Sequence, residues 1–222
     1  MTNKGKYYES QFEEATIKLL REAHWQYAFG DDIHRKYTDP LIEEDLRNFL
    51  AVQYKDKNLT TSEMDSIVAN LRNTGGQNDY YALRNTFLLY RDGYDFAYSD
   101  GRSNPFRLEY IDFEHPDHNI FRCVNQFVME QGRENRRPDI LLFINGIPVC
   151  IIELKNPTKQ NATIRDAHTQ ICTRYMRDIP ALLKYCALAV ISDGAKNALG
   201  ATYTPFEFFY EWKKIENEDL SL

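Results

Sequence analysis

The spacing of apolar and polar positions divides the chain into a helical part followed by a strand-rich part. From Tyr8 to Leu20, apolar side chains at Tyr8, Phe12, Ala15, Ile17, Leu19 and Leu20 come close to the i, i+3, i+4, i+7 recurrence of an amphipathic helix. The same helix carries Glu9 and Glu13. A second helix is expected just after Pro40, with Leu41, Leu46, Phe49 and Leu50 turned inward. Thr60 with Glu63 forms a capping box for a third, ending at Gly75 and Gly76. A fourth runs from Asp79 to Tyr90. Residues 31–90 therefore read as a mainly helical insertion or subdomain without a chemical motif. From Tyr94 the pattern changes to strands: Tyr94–Tyr98, a turn at Ser99-Asp100-Gly101, then Phe106–Phe113 and Ile120–Met129.

Two runs that follow, Asp139 to Ile144 and Ile147 to Lys155, are apolar at nearly every position and are joined through Asn145-Gly146, a strong hairpin signal. Such runs mark central strands covered on both faces. Apolar residues at 164, 167, 171, 172, 175 and 176 then make a helical stripe, and residues 187–191 read as one more buried strand. The order, helix, strands, helix, strand, implies an α/β fold with a central sheet flanked by helices.

Three charges sit inside this apolar hairpin. An ionised group in a doubly covered strand costs several kcal/mol unless it is paired or bound to a cation, so Asp139, Glu153 and Lys155 require an explanation. Side chains alternate along a strand, which places Glu153 and Lys155 on one face. A bare two-residue loop at Asn145-Gly146 would turn Asp139 to the other face. A three-residue loop with Gly146 left-handed, or a bulge elsewhere, would bring it to the face of Glu153. Grouping the charges lowers their burial cost, and an odd loop or a bulge is therefore expected. Two carboxylates and the backbone carbonyl of Leu154 would form a hard oxygen site suited to Mg²⁺, with Mn²⁺ as a substitute. A bound metal there polarises a phosphodiester and lowers the pKa of an attacking water, while Lys155 orients the water or offsets charge. A buried ion-pair triad without chemistry is the alternative reading of the same spacing.

Composition narrows the classes. At 222 residues with 43% hydrophobic positions, 8 Pro and 10 Gly, a collagen-like or disordered chain is excluded. Cys123, Cys150, Cys172 and Cys186 are widely spaced with no CxxC pair, which fits a reducing compartment. No stretch is long and apolar enough for a membrane span or a secretory leader, and a cytoplasmic location is expected. The formal net charge of -6 argues against a protein that coats nucleic acid non-specifically. A local basic groove is open to two clusters, Arg133, Arg136 and Arg137, and Arg165, Arg174 and Arg177, each of which is equally readable as solvated surface. Asp112, Glu114, His115, Asp117 and His118 crowd one segment, where Pro116 and the lack of further ligands favour a polar loop over a zinc site. No GxxxxGK[ST] phosphate loop occurs, so ATP hydrolysis is not expected of this chain.

Pro138-Asp139 followed by Glu153-Leu154-Lys155 is similar to the PD-(D/E)xK nuclease signature. Phe121 to Phe127, Arg137 to Pro148, Ile152 to Pro157, Asp178 to Pro180 and Val190 to Gly194, together with that signature, resemble the amino-terminal endonuclease domain of the HsdR restriction subunit of type I restriction-modification systems. The resemblance runs from the opening helix to Trp212. It implies a restriction-endonuclease-like mixed sheet, with residues 1–222 as one endonuclease domain that includes the helical insertion. It further implies that Asp139 and Glu153 bind the metal and that Lys155 acts in catalysis. Family members often carry an acidic residue on the opening helix, for which Glu13 is the choice and Glu9, one turn earlier, the alternative. Related nucleases have a QxxxY motif on the helix after ExK, whereas Gln170 and Tyr175 are five apart here. On an α-helix that spacing separates them by about 140 degrees. Gln170 is then a candidate site residue that touches DNA phosphate or holds Lys155, and Tyr175 belongs to the core.

In such systems recognition rests with the specificity subunit HsdS, modification with the methyltransferase HsdM, and ATP-driven translocation with helicase motor domains that this sequence does not include. The implied function is a Mg²⁺-dependent double-stranded DNA endonuclease domain without sequence preference of its own. A non-catalytic docking or DNA-binding module, or a stand-alone repair or junction nuclease of the same fold, are the rival readings.

Overall fold

The uninterrupted apolar runs form the middle of a seven-stranded sheet in the computed structural model, which describes residues 4–155 and 163–211, with side chains from residue 10. Asn156, Pro157 and Trp212 of the segments that carry the resemblance, and the side chain of Glu9, lie outside the described residues. The strands are β1 (Gln26–Phe29), β2 (Tyr94–Phe96), β3 (Phe106–Leu108), β4 (Phe121–Asn125), β5 (Met129–Gln131), β6 (Glu134–Arg136), β7 (Ile140–Ile144), β8 (Ile147–Leu154), β9 (Leu188–Ser192), β10 (Asn197–Ala201) and β11 (Tyr210–Glu211). The sheet order is β1-β4-β7-β8-β9-β10-β11, while β2-β3 and β5-β6 are separate two-stranded ribbons. β1 pairs parallel with β4 and β8 parallel with β9, and the remaining neighbours in the sheet are antiparallel. This is the mixed α/β, restriction-endonuclease-like arrangement that the sequence implies.

Both faces of β7 and β8 are covered, which accounts for their apolar runs. On one face, Ile17 of α1 (Lys4–Glu22) packs with Cys123, Ile140, Cys150, Ile152 and Leu154. On the other, Ala167, Ile171 and Tyr175 pack with Val124, Leu141, Phe143, Ile151, Ala189 and Ile191. These helical residues come from α5 (Ile164–Thr169), a π-helical stretch (Gln170–Tyr175) and α6 (Met176–Asp178), followed by α7 (Pro180–Leu183). The helices α2 (Glu43–Gln53), α3 (Thr61–Asn73) and α4 (Asp79–Asp92) make a third cluster around Leu46, Leu50, Ile67, Leu71 and Tyr90, which meets the sheet at Ile147. The Thr60–Glu63 capping box is formed as expected.

The strands between residues 94 and 129 are shorter than their apolar patterning suggests. β3 stops at Leu108, and a 3₁₀ turn at Pro116–His118 occupies the stretch before β4. β4 ends at Asn125 because Gln126 adopts φ 56°. β1, β6, β10 and β11 are short strands that the sequence pattern did not single out.

The β7–β8 hairpin resolves the parity of its charges. The loop is only Asn145 (φ 51°) and Gly146 (φ 75°), with Ile144 opposite Ile147. The register then shifts at Leu142/Phe143: Phe143 faces Pro148 but Leu142 faces Cys150, which leaves Val149 as the extra residue of a β-bulge. Of the two devices expected, the structure uses the bulge, and a three-residue loop is not formed. The turn itself is held tightly. Asn145 is fully buried, its side-chain amide donating to Tyr110 O and Asn119 Oδ1 and its Oδ1 accepting from Ile120 N–H. A Cβ on Gly146 would lie 2.1 Å from Ile42 O, so only glycine permits this close approach beneath α2.

Candidate active site

Beyond the bulge the ladder runs Leu141–Ile151 and Ile140–Ile152, so Asp139 and Glu153 occupy the next rung, where β7 begins and β8 ends. They share the face that carries Leu141 and Ile151, toward the π-helical stretch. Asp139 Oδ2 accepts from the Leu154 backbone N–H at 2.7 Å. Glu153 is 1% exposed, and burial together with the neighbouring Asp139 charge pushes its carboxyl up to about 8, against the opposing pull of Lys155 and the Tyr175 hydroxyl.

Four side chains close a ring of hydrogen bonds. Lys155 Nζ donates to Glu153 Oε1 at 2.6 Å and to Gln170 Oε1 at 2.8 Å. Gln170 Nε2 donates to the Tyr175 hydroxyl at 2.7 Å, and that hydroxyl lies 3.3 Å from Glu153 Oε2. The expectation that Gln170 and Tyr175 point about 140 degrees apart holds for an α-helix and fails here. The stretch from Gln170 to Tyr175 is π-helical, and i→i+5 pairing sets residues five apart one above the other. Tyr175 is thus both core, at 3% exposure, and part of the site through its hydroxyl. The spacing of five was the available signal, and the π-helical turn is what lets the two side chains meet.

Glu13 reaches the same end of the sheet from the opposite helical layer. Its carboxylate accepts from Asn125 Nδ2 at 2.6 Å and from Gln126 Nε2 at 3.1 Å to each oxygen. Asn125 pairs with Ile140, and Gln126 N–H donates to Asp139 O, so both amides sit beside the start of β7. The sequence offered no sign that Asn125 and Gln126 hold Glu13, because the contact joins residues more than a hundred positions apart. Asp139, Glu153, Lys155 and Gln170 are brought together, with Glu13 alongside.

The basic clusters are only partly available for a ligand. Arg136 binds Asp178 and Glu134, Arg177 binds Asp178, and Arg165 stacks over Phe206. Arg133, Arg137 and Arg174 are exposed.

The donor set suits a hard cation. Two carboxylates on one rung, beside the Leu154 main chain, supply oxygen ligands only, and Asp139 raises the ionisation cost of the buried Glu153 in a way that a divalent ion would reverse.

The family described as "Type I restriction enzyme R protein N terminus" matches residues 6–208. The type I restriction enzyme HindI endonuclease subunit of Haemophilus influenzae is 31% identical over 224 residues, covering 96% of this chain and 21% of that protein. The putative MjaIXP endonuclease subunit of Methanocaldococcus jannaschii is 30% identical over 215 residues, covering 93% of this chain and 20% of that protein. The EcoprrI endonuclease subunit of Escherichia coli is 32% identical over 133 residues, covering 56% of this chain and 40% of that protein. This chain accordingly spans about a fifth of the length of the first two relatives. With its family matched over nearly all its residues, the chain belongs to the type I restriction enzyme R protein amino-terminal family.

Proposed function

We propose that this chain is a Mg²⁺-dependent endonuclease domain that hydrolyses double-stranded DNA phosphodiesters without sequence preference of its own. The observation that carries the reading is the shared rung of Asp139 and Glu153 with Lys155 locked beside it. Asp139, Glu153 and the carbonyl of Leu154 would hold the metal, with Mn²⁺ able to replace Mg²⁺. The bound ion would polarise the phosphodiester and activate water. Lys155, positioned by Glu153 and Gln170, donates to the attacking water or to the phosphoryl oxygen on which charge develops. Gln170 keeps the ammonium on that line, and Tyr175 orients Glu153. Glu13, fixed by Asn125 and Gln126, adds a further carboxylate at the edge of the site. Exposed Arg133, Arg137 and Arg174 supply phosphate contacts around an otherwise acidic chain.

By the resemblance to R subunits, the domain works in the cytoplasm within a complex with methyltransferase (HsdM) and specificity (HsdS) subunits, and ATP acts through motor domains outside this sequence. Among the described residues no helix is long and apolar enough to cross a membrane.

The test is cleavage of supercoiled plasmid by the full-length subunit assembled with its partners, in Mg²⁺ or Mn²⁺. Asp139→Ala, Glu153→Ala and Lys155→Ala should each abolish cutting while ATP hydrolysis continues. Undiminished cutting by all three would refute the nuclease reading and favour a docking module.

A further inference from the structure

The nuclease reading makes no use of the segment from Asp112 to Asn119, which the sequence presents as a polar loop. Folded, it gathers one ligand atom each from Asp112, His115 and His118, all within 4.8 Å of one another. The Asp112 carboxylate is buried, and its oxygens are nearly accounted for. Oδ1 accepts from the backbone N–H of Glu114 at 3.1 Å and of His115 at 2.8 Å, while Oδ2 accepts from Gln53 Nε2 at 3.0 Å. A carboxylate has about four lone-pair positions, so roughly one remains. Two imidazoles converge on it: His118 Nδ1 lies 3.0 Å and His115 Nδ1 3.7 Å from the same Oδ2.

The rings are stacked at 4.9 Å between centroids and 17° between planes. A single lone pair accepts one proton donor, and with His118 Nδ1 within hydrogen-bonding distance of it, His115 cannot bond there as well. One cation placed between the three groups satisfies all of them. We propose that Asp112, His115 and His118 bind one divalent ion of the zinc class, for which two imidazoles and a carboxylate are suitable donors.

The loop is organised before any ion arrives. Asn119 Oδ1 accepts from Asp112 N–H, and Asn119 Nδ2 donates to Asp112 O and Pro116 O. Asn145 of the hairpin turn donates to Asn119 in turn. The site adjoins the Asn145–Gly146 end of the hairpin, whereas Asp139 and Glu153 lie at the other end of β7, about 17 Å of strand away. The two sites also differ in kind, one offering only oxygen and the other mainly imidazole nitrogen.

The test is calorimetric titration of ZnCl₂ into the 222-residue chain carrying Asp139→Asn and Glu153→Gln, so that only the second site is read. One Zn²⁺ per chain is expected. His118→Ala in that background should weaken binding at least about tenfold, and His115→Gln with His118→Gln should abolish it. Both histidines are more than half solvent-accessible or at half, with side chains 62% and 50% exposed, so circular dichroism should show an unchanged fold. Co²⁺ substitution should give visible absorption bands that vanish in the double-histidine variant. Absence of Zn²⁺ binding in the background chain, or equal binding by the double-histidine variant, would overturn the proposal.

Discussion

Glu153 is the residue on which the electrostatics of the site turn. Its carboxyl is raised from an ordinary 4.5 to about 8, so the folded metal-free chain keeps a proton that the unfolded chain has released across that window. Stability of the metal-free chain should therefore fall as pH rises from about 4.5 to about 8. Glu153→Gln cannot ionise and should lack this loss. Thermal unfolding in chelator should show the variant more stable than the parent at pH 8, by roughly 2 kcal/mol once the lost ionised partner of Lys155 is discounted, with the two converging near pH 5. A variant less stable at every pH would contradict the assignment. Tyr175 offers a finer probe, because its hydroxyl donates to the Glu153 carboxylate and favours the ionised form. Tyr175→Phe keeps the ring in the core and should move the pH dependence of Mg²⁺ binding upward by roughly half to one unit, as read by titration across the range.

At the scale of elements, the π-helical stretch and the β-bulge perform the same service. Each adds one residue to a regular element and so corrects the facing of a charged or polar group. In the helix, the wide turn lets Gln170 and Tyr175 meet although they are five apart. Removing the exposed Thr173 should convert the stretch to ordinary α-helix with both flanks still facing the site. The deletion is expected to leave DNA cleavage within a few-fold of the parent and the melting temperature equal or higher. Gln170→Ala, which keeps the helix but removes an acceptor from Lys155, should lower cleavage by about tenfold to a hundredfold. The reverse order of effects would show that the π turn matters for something other than this alignment.

At the scale of the molecule, the three side-chain clusters that the described residues form against the sheet must hold their relative positions for the site to exist. The helical layer is tied to the sheet by a bidentate pair, Arg122 of β4 donating to Asp45 of α2 at 2.6 and 2.8 Å, with both side chains largely buried. Arg122→Ala would leave the Asp45 carboxylate buried without its partner and should destabilise the chain by about 3 kcal/mol in denaturant unfolding. Arg122→Ala combined with Asp45→Ala should cost less than the sum of the single changes, because the stranded charge is gone. Strict additivity would mean that the pair does not couple the layers.

The sequence alone determined what local periodicity and burial cost can express. Apolar spacing marked α1, the capped third helix, the two central strands and the helix after them. The expense of burying Asp139, Glu153 and Lys155 apart required that they be grouped. Between devices of similar local cost, however, only tertiary contacts could choose. Asn145 is gripped by Tyr110, Asn119 and Ile120, and Gly146 fits under Ile42, so the tight turn is kept and the extra residue moves to Val149. Tyr175 joins the site because Gln170 and Glu153 are there to meet its hydroxyl, and Glu13 is aimed by two amides from β4 and the residue after it. A periodic pattern reports which face a residue occupies within its own element; which distant partner it meets is decided by the packing of the elements against one another.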